Sequence, residues 1–246
     1  MVTPGEDWAR PQTDKAARVF ARESDMARAV ACWLEDDDMT VKSEFVTPWG
    51  ICDLVGLRFN PSNVDRRLGL KQTRAIGSIT RAVLLMQIPD VETQKSTTLG
   101  RLVRQCAPSI PEEVVSEETH RLIADHFVQR SSRGRLQKIN GWMPLQDRLV
   151  AVELKLSRIA DAMRQALNNL GFAEESYVGL PSDVAHRVVA NASRWADFFD
   201  AGVGLLSVTP KACDVAVKAR KPRHGANEPT RFYCVEKFWR THVKGN

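Results

Sequence analysis

Apolar and polar positions alternate along residues 150–157, VAVELKLS. At the two-residue period of a β-strand, Val150, Val152, Leu154 and Leu156 fall on one face, and Ala151, Glu153 and Lys155 on the other. The first face is wholly apolar and reads as core. The second sets a carboxylate beside an ammonium. Downstream the period changes to that of a helix. Ser157 is placed to cap it, Ile159, Ala162, Met163, Ala166, Leu167 and Leu170 recur at helical spacing, and Gly171 is a natural stop. A strand over 176–180, a helix over 182–200 and an apolar strand over 202–208 should follow.

Upstream, residues 41–46 have strand composition, Thr47, Pro48, Trp49 and Gly50 are turn chemistry, and 51–57 form a second apolar run broken by one charge, Asp53. The segment predicts a β-hairpin with a carboxylate inside its second strand. Asp is a poor strand former, and a buried carboxylate needs a cation, a hydrogen-bond network or solvent. The frayed start of an edge strand would also satisfy it. A helix ending near Glu35 precedes the hairpin, with Glu23 at its start. Glu-x-Lys alone also fits a solvated sheet face with a cross-strand ion pair. Together with Asp53 it suits chemistry on phosphate, where a carboxylate holds a hard cation and a lysine positions an anionic nucleophile.

Residues 61–148 separate these two strands and need structure of their own. Apolar spacing predicts helices over 74–87, 97–105 and 116–129, then a turn at 132–134 between two short strands. Three helices followed by a hairpin resemble the layout of a winged helix-turn-helix. Arg130, Arg133, Arg135 and Lys138 would form its basic wing, four cations within nine positions with no acid among them. Gln72, Thr73 and Arg74 are candidates to face a groove. A helical insertion serving dimerisation or stability is the alternative. A second basic cluster, Lys218, Arg220, Lys221 and Arg223, precedes a tail whose Phe232, Tyr233, Phe238 and Trp239 should pack on the core.

The order of these pieces resembles the PD-(D/E)xK nuclease superfamily. The matching segments are GICDLVG around Asp53, VAVELKL around Glu153 and Lys155, and the helix with RQALNNLGF, whose Gln165 matches a polar position often near such sites. Cys52 stands where the motif's proline would be. The resemblance implies an α/β fold, a restriction-endonuclease-like mixed sheet flanked by helices. Residues 1–60 and 149–246 would form the core, and 61–148 an inserted helical, winged-helix-like subdomain. It implies Mg²⁺ or Mn²⁺ on Asp53, Glu153 and the carbonyl of Leu154, with Lys155 steering water and Gln165 supporting water or phosphate. Glu23 would join the site, with Glu44 as its rival. The implied activity is hydrolysis of DNA, or RNA, by an endonuclease of defence or mobile-element biology, working singly or as a homodimer. The alternative is a nucleic-acid-binding protein with an inactive nuclease fold and a DNA-reading insert.

Composition narrows the field. The formal charge of +5 is uneven, with Lys and Arg against Asp and Glu at 7 to 11 over 1–60, 14 to 9 over 61–148 and 14 to 10 over 149–246. Such a surplus suits a polyanion approached from one side. The five cysteines form no C-x-x-C pair, no run is long enough for a membrane span, and no signal-peptide stretch opens the chain, so a cytoplasmic protein is expected. Walker, G-x-G-x-x-G, G-x-S-x-G and H-E-x-x-H motifs are absent, and His120 and His126 lack the spacing of a helical zinc pair.

Overall fold

The computed structural model describes residues 19–107, 109–139, 143–221 and 227–245. A 3-10 turn (Glu23–Met26) leads into α1 (Ala27–Glu35), which buries Val30 and Leu34. The expected hairpin follows as β1 (Thr40–Thr47) and β2 (Gly50–Phe59). Helix α2 (Pro61–Gly69) was not foreseen from the periodicity. Its start is nonetheless well specified, with Pro61 at the first position and Asn60 accepting the Asn63 N–H at 2.9 Å.

The insert continues with α3 (Ile79–Gln87), β3 (Thr97–Thr98), α4 (Leu99–Cys106), α5 (Glu112–Ala124), β4 (Val128–Arg130) and β5 (Arg135–Lys138). Ser78 caps α3 and Thr98 caps α4. The third helix begins four residues before the expected 116 and ends at Ala124. Pro111 sets the early start, and His126 in the left-handed region (φ 64°) ends the turn that follows. Phe127 and Val128 therefore leave the helix, and Val128 enters a three-stranded sheet ordered β3-β5-β4.

The chain then enters β6 (Gln146–Leu154), α6 (Ile159–Asn169), β7 (Glu175–Pro181), α7 (Ser182–Ala190), α8 (Ala196–Ala201), β8 (Gly204–Val208), β9 (Cys213–Val217) and α9 (Glu228–Gly245). Ser157 does not cap α6. Arg158 takes that position in the left-handed conformation (φ 52°) without a side-chain cap. The helix expected over 182–200 is broken at Asn191, so α7 and α8 are separate.

The main sheet is mixed, with six strands ordered β1-β2-β6-β7-β8-β9. β6–β7 and β7–β8 are parallel and the other pairs antiparallel. Both faces are covered, as a sheet with parallel strands requires. On one face the 3-10 turn and α1 pack Met26, Val30 and Leu34 over Leu54, Val150, Val152, Leu154 and Tyr177. On the other, α9 supplies Val235, Phe238 and Trp239 against Val55, Leu57, Leu149 and Ala151. Helices α6 and α7 cover Val178, Leu180 and Leu205. The insert has its own core around Leu84, Leu102, Val115, Leu122 and Leu136, which also takes Phe232 from α9. Among the described residues no helix is long and apolar enough to cross a membrane.

Candidate active site

The two faces expected for β6 are those found. Val150, Val152 and Leu154 join the core under α1, while Ala151 points to the opposite face. The register of β2 against β6 runs from Phe59↔Gln146 to Leu54↔Val152. At the next position the Asp53 carboxylate accepts the Leu154 N–H through Oδ2 at 2.7 Å. A side chain thus takes over from the backbone ladder, and this local hydrogen bond lets an Asp sit in a strand.

Lys155 follows at the end of β6. Its N–H donates to the Gly179 carbonyl on β7 at 3.1 Å. Its Nζ donates to the Leu154 carbonyl at 2.9 Å and lies 3.8 Å from Asp53 Oδ2 and 3.4 Å from Glu23 Oε2. Glu23 also accepts the Leu156 N–H through Oε1 at 3.4 Å. Of the two glutamates that competed for the site, Glu23 reaches it from the turn before α1. Glu44 is exposed on β1, with its backbone in the left-handed region (φ 48°).

Glu153 is 2% exposed. Asn169, in the last turn of α6, donates Nδ2–H to its Oε1 at 2.7 Å. Cys52 lies alongside, its Sγ 3.5 Å from Asn169 Nδ2, and donates to the Leu54 carbonyl at 3.3 Å. Burial pushes the Glu153 carboxyl up to about 7. The Asn169 hydrogen bond opposes this rise, the Asp53 charge adds to it, and Lys155 and Cys52 oppose it further. Burial and the Glu153 charge push the Cys52 thiol well above its ordinary value.

Asp53 and Glu153 offer oxygen donors, the set preferred by hard divalent cations. Asp53 Oδ1 accepts no hydrogen bond among the described residues, and its side chain is 37% exposed. Burial is the main cause of the raised Glu153 carboxyl, and the Asp53 charge adds to it. These features fit a divalent ion. Among the described residues, however, no group of three or more His, Cys, Asp or Glu side chains is arranged to hold one. The Leu154 carbonyl, the other expected ligand, accepts from the Lys155 ammonium. Gln165 is exposed on α6 and does not join the cluster; Asn169, one turn later, does. The signal for Asn169 was its position, since it follows Ala162 and Ala166 on the buried stripe of α6.

In the insert, Arg130, Arg133 and Arg135 are exposed on the β4–β5 hairpin. Lys138 is not part of that surface. It is 7% exposed, its backbone forms a parallel β-bridge with Asp90, and burial lowers its pKa while the Asp90 charge opposes the shift. A β-strand alternates faces, so Lys138 turns inward with Leu136 two positions earlier. Gln72 is also buried, donating to the His126 carbonyl at 2.8 Å, which removes it from the groove-facing candidates. Arg74 is exposed and paired with Asp125 at 3.3 Å. In the second basic cluster Lys218, Arg220 and Lys221 are exposed, Arg220 pairs with Asp200 at 3.3 Å, and Arg223 lies outside the described residues.

No family model, curated protein or solved structure matches this chain.

Proposed function

We propose that the chain is a divalent-metal-dependent phosphodiesterase that hydrolyses DNA as an endonuclease, built on a restriction-endonuclease-like core. One observation supports this most directly. Asp53 and Lys155, far apart in sequence, lie 3.8 Å apart where β2 leaves β6, and the buried Glu153 stands two positions before that lysine on the same strand. Mg²⁺ or Mn²⁺ on Asp53 and Glu153 would supply Lewis acidity and a water of lowered pKa. Asp53 keeps Oδ1 without a hydrogen-bond partner among the described residues, on a side chain 37% exposed. Lys155, whose side chain is 10% exposed, orients the attacking water and offsets negative charge gathering on the phosphate. Glu23, 3.4 Å from the ammonium, helps to hold it in place. Asn169 keeps Glu153 in its ligating orientation, as hydrogen-bonded outer partners do in metal sites.

The insert supports a nucleic acid as the substrate. Its order of helix, strand, two helices and hairpin, with strands β3-β5-β4, is compatible with the winged-helix layout we propose for it. A supercoiled-plasmid assay with Mg²⁺ or Mn²⁺ tests the reading. Nicking or linearisation by the wild type should fall by about 10²-fold or more in Asp53→Ala and in Lys155→Ala. Equal cutting by both variants and the wild type contradicts it.

A further inference from the structure

Two stretches of the insert, 93–111 and 126–146, contain no Asp or Glu. Every acid between them falls in 112–125, as Glu112, Glu113, Glu117, Glu118 and Asp125. The fold joins the two acid-free stretches. β3 pairs with β5 so that Thr98, the cap of α4, lies opposite Arg135. The Lys95 carbonyl accepts from Gln137 of β5 at 2.8 Å. Lys95, Arg101, Arg104, Arg130, Arg133 and Arg135 are all exposed, and none has an ion-pair partner among the described residues. A groove of about 310 Å³ is shared by Lys95, Thr97, Arg101 and Gln105.

The helix between the two stretches has the opposite character. On α5, Glu112, Glu113 and Glu117 are exposed, and Arg121, its one cation, is paired with Glu117 and Glu118. In a helix-turn-helix the second helix of the pair reads the major groove. Placed there, α5 would set three carboxylates against phosphates. Like charges at an interface cost several kcal/mol.

We propose that the insert grips the phosphate backbone of duplex DNA with the joined surface of α4 and the β4–β5 hairpin, and holds α5 away from it. This rests on the phosphodiesterase reading only for the identity of the polyanion. Contacts of this kind position a duplex without reading its sequence. They also make binding steeply salt-dependent, by about 0.9 in log K per log salt for each phosphate neutralised.

The test is fluorescence anisotropy of the full chain with a labelled random-sequence duplex, titrated across salt concentrations in EDTA so that nothing is cut. Arg101→Ala with Arg104→Ala should lower the salt slope by about two and weaken binding about tenfold or more, and Arg130→Ala with Arg133→Ala and Arg135→Ala should lower the slope by about three. All these side chains are exposed, so melting temperatures should match the wild type. Glu117→Gln should leave binding unchanged or tighten it. Lys218→Ala with Lys221→Ala, in the rival cluster, should change little. A wild type that does not bind the duplex overturns the proposal, as do surface variants with unchanged slope or dominant loss in the rival cluster. Patch-dependent binding by a wild type that never cuts plasmid leaves the grip standing and rejects only the hydrolytic reading.

Discussion

Asn169 donates to a carboxylate that has almost no access to water. Removing that donor leaves a buried charge short of a partner, at a cost of about 1–3 kcal/mol, and frees Glu153 to turn. Asn169→Ala should therefore weaken Mn²⁺ binding about 10–100-fold, measured by calorimetric titration. Unchanged affinity would make Asn169 a packing residue only. Glu153 itself gives the metal-free protein a pH signature. Its folded value of about 7 lies above its ordinary 4.5, so the folded state binds the proton more tightly than the unfolded chain. The stabilising contribution is full below about pH 4.5 and is lost as pH rises through 7, by roughly 3 kcal/mol in all. Urea midpoints in EDTA at pH 5 and pH 8 should differ less in Glu153→Gln than in the wild type. Asp53, Glu153 and Lys155 were legible in the sequence because a charge inside an apolar strand is conspicuous. Asn169 was not, because an amide in a polar run reads as surface until the helix is phased.

At the scale of elements, α9 ties the core to the insert. Glu236, on α9, forms a two-pronged pair with Arg67 of α2, with Arg67 Nη2–Oε2 at 2.9 Å and both side chains almost wholly buried. Glu236 also accepts the Ile76 N–H at 2.7 Å. Arg67 donates to the carbonyls of Gln72 and Arg74 and lies 4.3 Å from the centre of the Trp239 ring. Losing one partner of such a pair costs about 3–5 kcal/mol. Glu236→Ala should lower the unfolding free energy by that amount in urea titrations, and a double variant with Arg67→Met should recover part of it. No recovery would show that the pairing adds nothing beyond its separate hydrogen bonds. Five strands of the six-stranded sheet followed from alternation and period changes, down to the faces of β6. The elements that escaped were those whose cause is tertiary. Helix α2 is short and polar, with its buried face resting on Arg67 and Val64. Strand β9 is a partly exposed edge. The start of α5 depends on a proline, not on hydrophobic spacing.

Across the whole molecule, charge and chemistry are divided between two places. The core holds the carboxylates and lysine where β2 leaves β6, and the two joined acid-free stretches of the insert hold six exposed cations without an ion-pair partner among the described residues. The net charge alone did not reveal this, because the acids of α5 offset the basic stretches on either side of it along the chain. The fold separates what the sequence interleaves. In the core, we propose, Asp53 and Glu153 share one divalent ion beside Lys155. A crystal soaked in Mn²⁺ and measured at the manganese edge tests it most directly. An anomalous peak bound by oxygens of both carboxylates, lost in Asp53→Ala, is the expected result. A peak elsewhere, or none at full soaking, would contradict it.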